Sequence, residues 1–257
     1  MSNWNAFPFV GDYAFDVGGV RKHWDRLHAS DLEPLPKDTA LLEAWAHFHN
    51  GDFHQATEIG LKLGGAGITL ANKATCIYAT YLEPKEKNKL DLYMAAAARA
   101  QTQAAADPGN PNAWHWQAYA IGRYSQGISV AKALAQGLGS KVKDALEKAI
   151  ELNPKHSDAH VALGAFHAEV IDKVGPLIGG MTYGAKKDTG LRLFKQALIL
   201  NPSSAIAMIE YANGMVMLEG DKRMKEATAL YEQAAAIEAF DAMERLEVEL
   251  ARAELAD

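Results

Sequence analysis

Cysteine is almost absent from this sequence, since Cys76 is the one cysteine among 257 residues. A single thiol can form neither an internal disulfide nor a thiolate metal cluster, so both ways of cross-linking a fold are excluded. Cys76 lies in the apolar stretch "NKATCIYATYL". We expect it to be buried as a small hydrophobic group rather than to act as a nucleophile.

The sequence also lacks long runs of basic residues and long runs of apolar residues. No basic run exceeds two residues and the formal net charge is -6, which does not fit a nucleic-acid-binding surface. The apolar tracts are interrupted, one of them by Asn72 and Lys73, and none reaches the roughly 18 to 20 residues of a spanning helix. The first residues lack a signal-peptide pattern. We therefore expect no nucleic-acid partner, no membrane span and a cytoplasmic location.

What the sequence does contain is a repeat punctuated by proline. The stretches "AQTQAAADPGNPNAWHWQAYAIG", "ALEKAIELNPKHSDAHVALG" and "LFKQALILNPSSAIAMIEYANG" each hold the end of a helix, a break and a new helix. Pro108, Pro154 and Pro202 mark the helix ends, because proline cannot continue a helix and disfavours helical geometry in the residue before it.

These units resemble the tetratricopeptide repeat, in which a small residue of the first helix lets a large residue of the second pack closely. The clearest copy has Gly164 on its first helix and Phe194 on its second. The resemblance implies an all-α, right-handed solenoid of about five helical hairpins over residues 38–257, with a C-terminal capping helix. Residues 1–37 are expected to form one helix and an extended lead-in.

Two of the repeats are longer than the family pattern. The helix-ending prolines Pro108, Pro154 and Pro202 are spaced 46 and 48 residues apart, against a period of about 34 in the family. The surplus falls between the first and second helices, at about residues 125–141 and 170–188. Insertions in adjacent repeats emerge on one face, so we expect these two to lie side by side. In the second insert, Val174, Leu177, Ile178 and Met181 are expected to pack inward.

Repeats with such inserts are similar to the T-component proteins of TRAP-type bacterial substrate transport, and more distantly to the regulators of microtubule dynamics. The T-component resemblance implies that the inserts enclose a cavity for a small ligand. That group is exported, whereas this chain shows no export signal, so the resemblance implies the fold and not the location.

Seven side chains are candidates for contact with a partner or ligand. The resemblance places His115, Tyr119, Arg123, Glu169 and Asn213 on the inner surface of the solenoid, and the second insert contributes Tyr183 and Lys186. Arg123 and Glu169 occupy equivalent positions on adjacent helices, so an ion pair between them is the simpler interpretation. Tyr119 and Asn213 have no obvious local partner.

No catalytic constellation can be assembled from the sequence. "GLGSK" has serine and lysine in the wrong order for a phosphate loop. His160 and His167 take positions of large packing residues in the repeat, so we expect neither a metal site nor a cofactor. A weaker alternative is an anion bound at helix starts capped by Ser140 and Asp188.

The sequence thus predicts a non-catalytic scaffold that binds a protein or peptide partner in its concave groove. The alternative is a small-ligand-binding protein whose cavity is walled by the two inserts. An exposed groove or insert could equally be the surface of a homo-oligomer.

Overall fold

The computed structural model describes residues 4–256. Within this range the chain forms fourteen α-helices, one 3-10 helix (Asp221–Arg223) and no strand. In chain order the α-helices are α1 Val17–Lys22, α2 Trp24–Leu27, α3 Thr39–His49, α4 Phe53–Leu63, α5 Gly67–Tyr81, α6 Glu86–Ala106, α7 Pro111–Gln126, α8 Val130–Ala135, α9 Leu138–Leu152, α10 Ser157–Tyr183, α11 Lys187–Leu200, α12 Ala205–Glu219, α13 Met224–Ala235 and α14 Ala242–Ala256.

The helices pair in sequence order into five antiparallel hairpins, α3/α4, α5/α6, α7/α9, α10/α11 and α12/α13, and α14 packs on the last of them. This confirms the predicted tetratricopeptide-like α-solenoid with a capping helix. The helix starts follow from local chemistry. Asn110 and Ser204 each accept hydrogen bonds from backbone N–H groups of the helix that follows. His156 caps α10 in the same way, because its Nδ1 accepts a hydrogen bond from the N–H of Ala159 at 3.1 Å.

Phe194 shows how two neighbouring repeats lock together. Its ring is fully buried and stacks on Tyr211 with 5.5 Å between ring centroids. A methyl group on Gly164 would lie 2.9 Å from this ring, and one on Gly214 only 2.4 Å from it. The close approach of helices α10 and α12 to the ring therefore depends on glycine, which confirms the repeat register at the second long unit.

The chain before the first hairpin packs into the solenoid rather than beside it. The predicted helix is broken at His23 into α1 and α2. Val20 and Trp24 share one hydrophobic core with Trp45 of the first hairpin and Leu246 of α14. Buried side chains of the segment before the first hairpin are consequently part of the main core.

The two ends of the solenoid meet. His49 Nδ1 of the first hairpin lies 2.6 Å from Asp241 Oδ2, immediately before α14. Arg26 Nη2 donates to Glu244 Oε2 at 2.9 Å, and the Tyr13 hydroxyl donates to the carbonyl of Ala239 at 3.3 Å. These contacts join the first and last elements, so the groove inside the solenoid is closed on this side.

Both inserts are largely helical and they touch each other. The first contains α8. The second continues α10 to Tyr183, with a break at Gly175, whose φ of 82° is in the region that favours glycine. The ring of Tyr183 covers Gly139, where an added methyl group would lie 2.7 Å from it. The expected side-by-side arrangement is therefore present.

The expected packing of the second insert was largely wrong. Leu177, Ile178 and Met181 are 74%, 57% and 82% exposed, whereas Val174 is half-buried. The inward face of residues 176–183 is instead made by Gly179, whose backbone lies so close to Val170 that a methyl group would be 3.0 Å from it. Because small residues take the close contact, the large apolar ones point outward.

Three smaller expectations can also be compared with the structure. Cys76 is fully buried, as expected, and burial raises the pKa of its thiol to about 12. Ser140 and Asp188 do not cap helices, because α9 begins at Leu138 and α11 at Lys187. From residue 4 to residue 256, no helix combines the length and the apolar character needed to cross a membrane.

Candidate functional site

A cavity of about 200 Å³ lies inside the solenoid. Its walls come from the inner faces of α5, α7, α10, α12 and α14, and from both inserts. The inserts contribute apolar side chains such as Val130, Leu134 and Val174, and the helices contribute a ring of polar and aromatic groups. The cavity thus has an apolar end near the inserts and a polar end near α14.

The protein's own residues 28–33 fill the adjoining end of the groove. Asn112 Nδ2 donates to the carbonyl of Asp31 at 3.2 Å and to Glu33 Oε2 at 2.6 Å. The N–H of Asp158 donates to the carbonyl of Ser30 at 3.3 Å, and Asn201 Nδ2 donates to Ser30 Oγ at 2.7 Å. Asn112 and Asp158 are the second residues of α7 and α10, so this segment crosses the amino-terminal ends of both helices.

A buried ion pair anchors this segment to α5. Lys73 Nζ lies 2.6 Å from Asp31 Oδ2, and His28 Nδ1 lies 2.9 Å from Asp31 Oδ1. Each of the three side chains is at most 2% exposed. Burial by itself would raise the pKa of Asp31, but Lys73 and His28 outweigh it and hold that pKa well below its usual range. Asp31 is therefore a carboxylate, and Lys73 is its counterion.

The neighbouring carboxyl group, Glu33, behaves in the opposite way. Burial, followed by the charge of Asp31, raises its pKa to about 8 from 4.5. Between those two pH values the folded protein retains a proton that the unfolded chain has lost, so the contribution of Glu33 to stability falls as pH rises.

Glu33→Gln should therefore gain stability relative to wild type as pH rises. Between pH 6.5 and pH 8 the difference in free energy of unfolding should move in favour of the variant by about 1 to 2 kcal/mol. Urea denaturation at the two pH values measures it. Glu43→Gln, at an exposed position, is the matched control, and its stability should follow that of wild type at both pH values. A stability difference for Glu33→Gln that does not change with pH would contradict the raised pKa of Glu33.

Arg123 and Tyr119 form the polar centre of the cavity wall. Arg123 Nη2 donates to Glu210 Oε1 at 3.0 Å, and its guanidinium carbon lies 5.3 Å from the centre of the Tyr119 ring. The expected ion pair of Arg123 with Glu169 is absent; Glu169 instead accepts from Gln126 Nε2 at 2.5 Å. α12 brings Glu210 across the groove to Arg123, a contact that a comparison of adjacent helices alone could not reveal.

Two further carboxyl groups line the cavity without a cation of their own. Glu247 is 5% exposed, and burial, followed by the charge of Asp158, raises its pKa well above the usual range. The pKa of Asp158 is raised to about 6, first by burial and then by Asp31. Within the described range no lysine or arginine nitrogen lies within 4.0 Å of either carboxylate.

Buried nitrogen atoms at the same end also lack partners. Trp116 is 3% exposed and His115 is 2% exposed, and both line the cavity. Neither Trp116 Nε1 nor His115 Nδ1 has a hydrogen-bond partner among the described atoms. Burying an unpaired polar group is unfavourable, and such groups are expected to be satisfied by a bound molecule or ordered water.

Five of the seven predicted side chains, His115, Tyr119, Arg123, Glu169 and Tyr183, line the cavity. Lys186 and Asn213 do not. Lys186 is exposed, and Asn213 accepts a hydrogen bond from the Tyr231 hydroxyl at 2.7 Å. Tyr119 also has a partner, Thr80, at 2.9 Å. Tyr119 and Asn213 have no local partner in the sequence, and the structure supplies each with a partner from another helix.

The cavity residues that sequence reasoning missed include Trp116, Gly122, Glu210 and Glu247. Glu247 belongs to the capping helix α14, and it reaches the cavity because α14 packs across the end of the groove. Gly122 could have been singled out from the sequence. Glycine inside a helix is destabilising, and no local feature of the sequence explains its presence there.

The buried histidines His160 and His167 act as packing residues. His160 and His167 are 6% and 4% exposed, and His160 Nδ1 lies 2.9 Å from the carbonyl oxygen of His156. Among residues 4–256 no three His, Cys, Asp or Glu side chains converge as metal ligands would.

Comparison with known proteins agrees with this architecture. The family model described as regulator of microtubule dynamics protein 1-3 matches residues 68–174, which is less than half of the chain. A solved structure, that of a thermophilic TPR protein from Thermus thermophilus, superimposes with a TM-score of 0.58 at 17% identity. The superposition covers 83% of this chain and 97% of that one, and at this identity it establishes the fold alone. No curated protein sequence matches the chain. The T-component resemblance of the inserts stays a prediction.

Proposed function

We propose that this protein is a non-catalytic binding protein that holds a small organic molecule in the cavity between its inserts. The observation that supports the proposal is the state of the groove. Residues 28–33 fill one end of it through backbone and side-chain hydrogen bonds, and both inserts line the remainder together with the inner helices. A pocket of this kind, mostly apolar with a few convergent polar groups, is typical of small-molecule sites.

Gly122 supports the same interpretation. It lies in the interior of α7, lines the cavity, and has a backbone conformation that any residue can adopt. A methyl group added there would meet nothing within 4 Å. Glycine at an interior helix position destabilises by roughly 0.5 to 1 kcal/mol relative to alanine. Packing within the chain does not require this glycine, and the open space in front of it belongs to the cavity.

A protein scaffold is the second candidate, and a different observation favours it. Leu177, Ile178 and Met181 form an exposed apolar strip on the outside of the second insert, and such patches often mark protein contacts. A peptide bound in the concave groove itself is less favoured. Asn112 and Asp158, at the amino-terminal ends of helices α7 and α10, already bind residues 30–33 of the chain.

Gly122→Trp should abolish ligand retention, because an indole at this position fills the space in front of α7. Native mass spectrometry of protein purified from its own host is the measurement. Wild type should carry a small additional mass that the tryptophan variant lacks.

Gly122→Ala is the matched control for this experiment. A methyl group finds open space there, so the variant should retain the ligand and unfold with a free energy about 0.5 to 1 kcal/mol higher than wild type. An additional mass retained equally by Gly122→Trp would place the ligand outside the cavity and contradict the proposal. A co-purifying polypeptide without a small mass would favour the scaffold.

A further inference from the structure

Resting on the proposed function, we infer that the cavity binds an organic ammonium, with the positive group between Glu247 and Asp158 and the apolar body between the two inserts. Cations of this class combine a charge with a hydrophobic portion. Such a molecule needs acidic groups at one end of the cavity and apolar side chains at the other.

The charges of the cavity wall do not balance. Four carboxyl groups line it, Asp158, Glu169, Glu210 and Glu247, against the two cations Arg123 and Lys173. Both cations are already paired: Arg123 lies 3.0 Å from Glu210, and Lys173 Nζ lies 3.4 Å from Glu169. Glu247 and Asp158 are the carboxyl groups left over, and both belong to the polar end.

Glu247 is buried and Asp158 is half-buried, which makes this surplus significant. A buried carboxylate without a counterion is costly, and it responds either by taking up a proton or by acquiring a cation. In the protein alone, burial raises the pKa of both groups. A bound ammonium would supply the missing counterion and return both groups to the ionised form.

The aromatic groups at this end fit the same ligand. Tyr81 and Trp116 line the cavity beside the carboxyl groups, and the faces of such rings attract cations. Trp116 Nε1 and His115 Nδ1 are buried without partners. These atoms are independent of the acidic pair, and a molecule or water at this end could satisfy them.

The apolar end fits the body of the ligand. Leu134, Val142, Leu146 and Phe166 line it together with Val174 of the second insert. No charged side chain other than the Lys173–Glu169 pair and Arg123 with its partner Glu210 reaches the wall outside the polar end. An alkyl or phenylalkyl group would therefore be buried among apolar side chains. This burial stabilises the complex but does not discriminate between charged and uncharged ligands.

Three size-matched probes separate the contribution of charge from that of apolar burial: 4-phenylbutylamine, 4-phenylbutan-1-ol and 4-phenylbutyrate. Isothermal titration calorimetry of the full chain at pH 7 should give an affinity for the amine about tenfold or more above that for the alcohol, with the carboxylate weakest. Glu247→Gln and Asp158→Asn should each lower amine affinity about tenfold and leave alcohol affinity within about twofold. Glu254→Gln, exposed on the same helix α14, is the control and should behave as wild type.

A pH series adds a readout that general destabilisation would not produce. The titratable groups that face the two carboxyl groups are Asp31, Lys73, Tyr81, Glu210, Asp241 and Glu244. Since the pKa of Asp158 is about 6, amine affinity should rise between pH 5 and pH 7 as the carboxyl group ionises, and alcohol affinity should stay constant.

The outcomes distinguish this inference from the proposal beneath it. Equal or tighter binding of the alcohol or the carboxylate, abolished by Gly122→Trp, would overturn the ammonium and keep the cavity as a binding site. Amine binding that is insensitive to both Glu247→Gln and Asp158→Asn would also overturn it. Failure of all three probes, with no small mass retained by the wild-type protein, would overturn both.

Discussion

Lys73→Met is expected to lower the free energy of unfolding by about 3 to 5 kcal/mol, because it leaves the Asp31 carboxylate buried without its cation. Methionine keeps nearly the same volume, so the loss isolates the charge. Lys73 is 2% exposed, lies 2.6 Å from Asp31, and is surrounded by the rings of Trp45, Phe48 and Trp116. Water cannot replace the lost ammonium at such a site. Urea denaturation at pH 7 measures the change.

Two further variants test the cause. Lys143→Met removes a cation from an exposed pair with Glu147 and should change stability by about 0.5 kcal/mol or less. In the double variant Lys73→Met/Asp31→Asn the carboxylate is gone as well, so much of the loss should be recovered. A double variant no more stable than Lys73→Met would mean that the aliphatic chain of Lys73, and not its charge, stabilises the fold.

The pH dependence of Lys73→Met follows from the pKa of Asp31. That pKa is depressed in the folded protein, so the pair contributes its stability above the unfolded pKa and loses it as pH falls through the folded one. The difference between wild type and Lys73→Met should therefore be greatest at neutral pH and shrink in strong acid.

Phe194→Ala is expected to lower the free energy of unfolding by about 3 to 5 kcal/mol through the cavity that it leaves. The ring is fully buried and is held between Gly164, Gly214 and Tyr211. Glycine has no side chain that could move into the space, so the site should collapse poorly and the effect should lie at the upper end of that range. Thermal and urea unfolding measure it.

Ile199→Ala on the same helix is the matched control. Ile199 is 73% exposed, so its truncation should change stability by about 0.5 kcal/mol or less. Equal effects of the two substitutions would contradict the repeat register that places Phe194 between α10 and α12.

Most of the fold could be predicted from local sequence patterns. Asn110, Pro154 and Ser204 lie at the helix boundaries, and the pairing of Gly164 with Phe194 follows from the repeat. The position of the inserts was also readable, because proline spacing counts residues and needs no three-dimensional information. These features depend on backbone sterics and on contacts within one hairpin or between adjacent ones.

Charged residues were the least predictable from sequence. Lys73 was interpreted only as an interruption of an apolar tract, although it is the cation of a buried ion pair with Asp31. Arg123 was paired with the wrong acid, because its partner Glu210 comes from α12, two repeats along the chain. A buried charge takes whichever counterion the fold brings within a few ångströms, and no local pattern encodes that distance.

By itself the sequence determined the helices, their pairing into hairpins and the place of the two inserts, since each of these depends on residues near one another in the chain. Only the tertiary structure decided that residues 28–33 lie inside the groove, that α14 closes it, and that Glu247 and Asp158 line the same cavity. These arrangements depend on contacts between segments more than 100 residues apart, such as His49 with Asp241 and Ser30 with Asp158. Their free energy arises from burial and charge pairing that exist only once the solenoid has folded.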